Sequence, residues 1–126
     1  MLGDHPIAPV LLARDLAAAR EFYHGKLGLL IEKEDQNAIV FRCGGTHLDV
    51  TKSSTGTAGQ QTRAAWQVSD IRAEVAELRT RGIKVEDYDT PALKTEDGIA
   101  DIGSAWAAWI IDPGMNALGI LQIKEE

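Results

Sequence analysis

The chain has a single cysteine, Cys43, in 126 residues. An internal disulfide is therefore excluded. A lone thiol suits a reducing compartment, where Cys43 is expected to serve as a small buried hydrophobe. No apolar run approaches the roughly 20 residues that a membrane-spanning helix needs. The opening MLGDHPIAP has neither the basic nor the apolar segment of a secretory leader, so a cytoplasmic protein without a membrane partner is expected. Positive charge is scarce too: 13 Lys and Arg stand against 19 Asp and Glu, for a net charge of -6. Phosphate backbones are held by concentrated basic patches, and no such cluster occurs, so nucleic acid is not an expected partner. No G-x-S-x-G nucleophile elbow and no phosphate loop is present, and Gly44-Gly45 reads as a turn. No catalytic residue can be assigned from such motifs.

What is present is an ordinary globular composition, 44% hydrophobic and 25% charged, in a length that suits one domain and can bury a core. Ile7–Ala13 (IAPVLLA) has strand character. Asp15 follows as a helix N-cap, because its carboxylate can accept free first-turn N–H groups. Leu16, Ala19, Tyr23 and Leu27 recur at helical spacing with Phe22 beside them, and Gly25 and Gly28 offer stops. Leu29–Glu34, Ala38–Cys43 and Thr46–Thr51 read as three strands separated by Asp35-Gln36-Asn37 and Gly44-Gly45. After the Ser-, Thr- and Gly-rich loop Lys52–Thr62, the programme repeats. Arg63–Val68 is a strand, and Ser69 or Asp70 caps a helix that carries Ile71, Val75 and Leu78 on one face. Gly82 stops that helix and Ile83–Asp87 is a strand. A polar excursion runs from Tyr88 to Gly103. Trp106–Ile111 and Ala117–Ile123 are strands joined by the turn Asp112-Pro113-Gly114-Met115-Asn116. The spacing predicts an α+β fold of two βαβββ modules, about 5–52 and 63–124. Their strands form a mixed sheet with the helices on one face, and the other face either curls into a cup, giving a curved sheet with the helices outside, or packs on a second chain.

Three stretches carry a more specific resemblance: RDLAAAREFYHGKLGL (Arg14–Leu29), VSDIRAEVAELRTRGIKV (Val68–Val85) and IIDPGMNALGILQ (Ile110–Gln122). In this order and at these spacings they resemble the vicinal oxygen chelate superfamily. That group includes glyoxalase I, the extradiol dioxygenases and the bleomycin and fosfomycin resistance proteins. The resemblance spans Ile7 to Ile123. It implies a fold more strongly than a reaction, since one fold hosts many functions.

In metal-using members of that group, four cup strands each supply a ligand. Matching positions here hold Ala8, Asp49, Arg63 and Gly119. Alanine and glycine have no donor atom, and arginine stays protonated and only donates. A catalytic divalent ion normally takes about three protein ligands, so no metal and no cofactor are expected. His47 lies on the face of Asp49 by strand period. His5 is the remaining candidate for a rescued site, and His24 is expected in solvent at a helix end.

Period two sorts the rest. With Ala8, Asp49, Arg63 and Gly119 face Val10, Leu12, His47, Thr51, Ala65, Gln67, Ala117 and Leu121. Leu48, Val50, Trp66, Leu118 and Ile120 turn to the helices as core. The cup is thus apolar with a few polar groups, which suits a small-molecule pocket. His47, Asp49, Arg63 and Gln67 are its candidate ligand-binding residues, joined by Arg42 if the register of its strand allows. Asp49 and Arg63 are positioned to pair, either as structural glue or toward a ligand. Trp106 and Trp109 are three apart, so at most one lines the cup, where it would stack on a planar ligand.

The expected function is metal-independent binding of a small, planar organic molecule, as in the bleomycin-resistance branch. The alternative is a lyase, isomerase or dioxygenase with an unusual metal or acid–base site around His47 and Asp49. A third reading is a subunit whose cup is filled by a partner chain. A homodimer is expected, since the apolar sheet face needs cover.

Overall fold

The computed structural model describes residues 1–54 and 61–124. A short 3-10 turn at Leu2–Asp4 precedes β1 (Val10–Ala13). Asp15 caps α1 (Leu16–Arg20) by accepting from the Ala18 N–H at 3.1 Å. The helix then widens into a π-helical turn over Glu21–Lys26, with Leu27 N–H bonded to the Phe22 carbonyl at 2.9 Å. The wider turn lets the consecutive Phe22 and Tyr23 both turn inward, at 7% and 0% exposure. Gly28, with φ +77°, reverses the chain into β2 (Leu30–Glu34). His24 is exposed in the last helical turn, as its position suggested. Its Nδ1 donates to the Leu29 carbonyl at 2.8 Å, a carbonyl brought back against the helix by that reversal.

β3 (Ala38–Cys43) and β4 (Thr46–Lys52) complete the first module. Its sheet has the order β1-β4-β3-β2, with β1 and β4 parallel and the other pairs antiparallel. The expected loop Lys52–Thr62 falls largely outside the described residues. The second module opens with β5 (Thr62–Gln67). Asp70 caps α2 (Ile71–Thr80), accepting from the Ala73 N–H at 3.2 Å, and Ile71, Val75 and Leu78 are buried beneath it.

Ile83–Asp87 is not a regular strand. It runs in extended form with Ile83 and Val85 buried, and a Glu86 N–H bond to the Trp109 carbonyl ties it to the sheet. The sheet edge is continued by a small hairpin inside the polar excursion, β6 (Thr95–Glu96) and β7 (Ile99–Asp101). Asp97 and Gly98 turn it, with φ of 53° and 81°. Two consecutive left-handed residues make the turn whose twist matches a two-residue hairpin, and Asp-Gly is its preferred sequence. β8 (Ala105–Ile111) and β9 (Ala117–Ile123) finish the chain in the order β5-β9-β8-β7-β6, with β5 and β9 parallel. The strands thus form two open mixed sheets of four and five strands rather than one continuous sheet.

The helix-facing residues of both sheets join one hydrophobic cluster, including Leu11, Phe41, Val50, Val75, Ile110 and Leu118. Leu48, Val50, Leu118 and Ile120 are buried there as their alternation predicts. Trp66 also faces this side but is only partly buried, and its indole N–H donates to Cys43 Sγ at 3.0 Å. Cys43 is likewise half-buried rather than enclosed, because it ends β3 at the rim of the core.

A polar joint fixes the two modules together. The Tyr23 hydroxyl donates to Asp112 Oδ2 at 2.5 Å, and both side chains are buried. Asp112 Oδ1 accepts from the Asn116 N–H at 2.8 Å. Asn116 Nδ2 donates to Asp112 Oδ2 and to the Leu12 carbonyl, both at 2.9 Å. Burial, then the Asp112 charge and its hydrogen bond, hold the Tyr23 phenol well above its ordinary pKa, so it remains a donor. Tyr23→Phe removes one donor to a buried carboxylate that keeps its Asn116 bonds. It should lower unfolding free energy by about 1–2 kcal/mol, measured by urea denaturation; an unchanged midpoint would show that the joint contributes nothing.

Candidate functional site

Opposite the helices, each module presents a sheet face, and the strand register states which side chains share it. In the first module Val10 pairs with Asp49, Asp49 with Val40, and His47 with Arg42. These residues share a face with Leu12, and Arg42 belongs to it. The face is open, with Val10 57% and Leu30 63% exposed.

The most connected polar group on this face was not foreseen. Ile31 pairs with Phe41 but Lys33 with Val40, so β2 carries a bulge at Glu32. The Glu32 carboxylate accepts a close hydrogen bond from Arg42 Nη2 on one oxygen. Its other oxygen lies 2.7 Å from His47 Nε2. Arg42 and His47 are direct cross-strand neighbours, so one carboxylate spans both. Arg42's hydrogen bond, reinforced by its charge and that of His47, holds the Glu32 carboxyl below the ordinary carboxylate range. A depressed folded-state pKa means this interaction is present at neutral pH and is lost as pH falls through the folded value. Glu32 has no assignment from the sequence because the faces of β2 are not sorted there; it lies two residues from Leu30, which pairs with Arg42.

In the second module the face carries Ala65, Gln67, Trp109, Gly119 and Leu121. Ala65 pairs with Gly119, Gln67 with Leu121, and Trp109 with Gly119 from the other side. The register of β5 slips between Thr62, which pairs with Ala117, and Ala64, which pairs with Leu118. Arg63 is the extra residue of this bulge. Thr62, not Arg63, stands beside Gly119: its methyl is 3.4 Å from where a Cβ on Gly119 would lie. Asp49 and Arg63 form no ion pair with each other among the described contacts. Asp49 sits one strand in from the β1 edge, and the bulge takes Arg63 out of register.

Of the two tryptophans, Trp109 takes the open face. Its indole N–H donates to Thr62 Oγ1 at 3.2 Å, and the Tyr88 ring meets it edge-on at 5.6 Å and 87°. Burial first, then the Glu86 charge, raise the Tyr88 phenol above its ordinary pKa. Trp106 points to the opposite side, where Lys124 Nζ lies 4.2 Å from its ring centroid and also bonds Asp101 at 2.5 Å. Trp106 does not join the Trp109 face, but it lines a separate cavity with Gln67, Gln122 and Lys124. Tyr88 and Thr62 gave no signal of their own, since one lies in the polar excursion and the other at a loop boundary.

A groove of about 800 Å³ runs between Pro6–Pro9, the β3–β4 turn and β5. It brings His47 and Gln67 to one cavity, with Ala8 and Ala65 between them. His5 is exposed just after the 3-10 turn. Among the described residues no three His, Cys, Asp or Glu side chains converge to hold a metal ion. Of the four positions matched to ligands, Ala8 and Gly119 carry no donor side chain and Arg63 only donates; the nearby Glu32 oxygens are engaged by Arg42 and His47.

The family model described as Glyoxalase/Bleomycin resistance protein/Dioxygenase superfamily matches residues 5–118. Among solved structures, a bleomycin-binding protein from Streptomyces verticillus complexed with copper(II)-bleomycin superposes with TM-score 0.74. It is 22% identical, over 96% of this chain and 97% of that one. A bleomycin-binding protein complexed with bleomycin gives TM-score 0.73 at 18% identity, over 95% and 99%. A lactoylglutathione lyase from Agrobacterium tumefaciens gives TM-score 0.65 at 24% identity, over 94% and 92%. No curated protein matches the chain by sequence. At these identities the likeness is one of fold.

Replacing Arg42 by Gln should return the Glu32 carboxyl toward the ordinary carboxylate range. The measurement is a carboxyl-carbon NMR titration of wild type and variant. Coincident midpoints would mean that the Arg42 contact is not made in solution.

Proposed function

The chain belongs to the Glyoxalase/Bleomycin resistance protein/Dioxygenase superfamily, and we propose that within it this protein binds a small, planar organic molecule without a metal ion. The carrying observation is the composition of the open faces: donor-free Ala8 and Gly119 at two ligand positions, with Trp109 lying beside Gly119. The groove holding His47 and Gln67 supplies polar recognition, and the apolar Ala65, Val10 and Leu12 surface supplies burial. Arg42 acts through Glu32 by holding His47 in place. Asp49, on the His47 face, and Arg63, in the β5 bulge, are further candidate ligand contacts.

Two bleomycin-binding proteins that share the fold hold bleomycin in their structures, which supports a ligand-binding reading. We further assign the protein to the cytoplasm and to a single domain that pairs as a homodimer, which would cover the exposed Val10 and Leu30. No helix among the described residues is long and apolar enough to cross a membrane.

A second reading rests on the 2.7 Å approach of Glu32 to His47. A carboxylate that orients an imidazole is the arrangement of an acid–base pair, as a metal-free lyase or isomerase would use. A turnover abolished by His47→Ala would favour it.

The test is a tryptophan-fluorescence titration with acridine orange, a flat heteroaromatic probe, before and after exhaustive treatment with a chelator. Saturable quenching with the same Kd in both states is expected. Binding that disappears on chelation would overturn metal independence, and no saturable quenching would overturn the planar-ligand reading.

A further inference from the structure

Gly119 occupies the position where metal-using relatives were expected to place a carboxylate, and its surroundings give that glycine a positive role. Trp109 on β8 and Thr62 on β5 flank β9 on either side. Neighbouring strands lie about 4.8 Å apart, so an indole rooted on β8 reaches β5 only by crossing β9. It does reach, because Trp109 Nε1 is 3.2 Å from Thr62 Oγ1. The residue it crosses is Gly119, its direct pairing partner. A Cβ built there would lie 3.8 Å from Trp109 Nε1, 3.4 Å from the Thr62 methyl and 3.3 Å from the Ala65 Cβ. Three neighbours therefore already close the space above Gly119. A methyl group fits only if Ala65 yields slightly, and anything longer must displace the indole.

We propose that Gly119 is the specificity-determining position of the site. By lacking a side chain it lets Trp109 lie across β9 as a fixed plate, and this commits the site to flat aromatic ligands. The inference rests on the planar-ligand reading above and goes beyond it, because it assigns the selection to one residue and its steric consequence. Three contacts hold the plate in place: the Thr62 hydroxyl at the indole N–H, the Tyr88 ring at its edge, and the β9 backbone at Gly119 beneath it. A plate fixed in advance loses little side-chain freedom when a ligand stacks on it, so affinity depends on keeping that orientation. The glycine also means that a donor atom cannot simply be added at this position. A carboxylate side chain would need the volume that the indole fills.

The test uses the full chain and two variants chosen to act differently. Gly119→Val fills the space under the indole. Thr62→Val is nearly isosteric, lies on the exposed start of β5, and removes only the hydroxyl that holds the N–H. The first readout is the Trp109 indole N–H resonance in a proton–nitrogen NMR spectrum, assigned by its loss in Trp109→Phe. In wild type it should be protected from solvent exchange, and both variants should shift it and remove that protection. The second readout is the Kd for acridine orange, which should weaken about tenfold in Gly119→Val, the loss of one stacking contact, and several-fold in Thr62→Val. Binding of 1-aminoadamantane, which is bulky and not flat, should not gain from the plate and should be equal in all three proteins.

An indole resonance unchanged in both variants would overturn the plate. Acridine orange binding that is tight and equal in wild type and Gly119→Val would overturn the role of Gly119 while leaving the planar-ligand reading standing. Failure of wild type to bind acridine orange would overturn that reading and with it the specificity role. The resonance would still report separately whether the indole is held.

Discussion

The buried carboxylate of Asp112 is the constraint on which the arrangement of the two modules depends. A carboxylate at 3% exposure is costly unless its oxygens are engaged. The three groups involved come from different parts of the chain: Tyr23 from the helical turn of module one, Asn116 from its own turn, and the Leu12 carbonyl of β1 through Asn116. Satisfying this one residue therefore sets the β8–β9 turn against the end of β1. A side chain at Gly114 would come within 2.8 Å of the Leu12 carbonyl, which shows how closely the turn and strand approach. The groove between the modules is walled by Pro6–Pro9, the β3–β4 turn and β5. Arg81, ion-paired with Glu77 and bonded to the Lys26 carbonyl, adds a second tie between the helical layers.

Much of this was legible in the residues. Asp15 and Asp70 announced both helices because an N-cap is a local event that needs only a carboxylate and free N–H groups. The bounds of β3 and β9 and the burial of Leu48, Val50, Leu118 and Ile120 followed from alternation. The misses have different causes, and at Arg63 it is that period two fails where a residue is inserted. The unsorted β2 strand holds the carboxylate of Glu32 against Arg42 and His47, and the bulge at Arg63 put Thr62 in the place given to the arginine. The β6–β7 hairpin was readable from Asp97-Gly98, a two-residue turn signal hidden inside a segment that looked merely polar. Ile83–Asp87 has the apolar spacing of a strand but lacks a full ladder, since β7 takes up part of the β8 edge.

The site that emerges differs in kind between its two halves. Module one offers charge: a carboxylate bridging a guanidinium and an imidazole on a face that is otherwise aliphatic. Module two offers shape: alanines and a glycine beneath one tryptophan. Directional polar groups at one end and a flat apolar surface at the other suit recognition of an aromatic molecule that carries a polar substituent. The Glu32 oxygens are engaged by Arg42 and His47, and Ala8 and Gly119 carry no donor side chain.

Metal content measured by plasma mass spectrometry is the most direct test of that central claim. The untagged protein would be purified without chelator from cells supplied with manganese, iron, nickel and zinc. Metal far below one ion per chain for every element is the predicted result. About one tightly held ion per chain or per pair of chains would contradict it, because the ion would then have to draw ligands that Ala8, Arg63 and Gly119 do not provide.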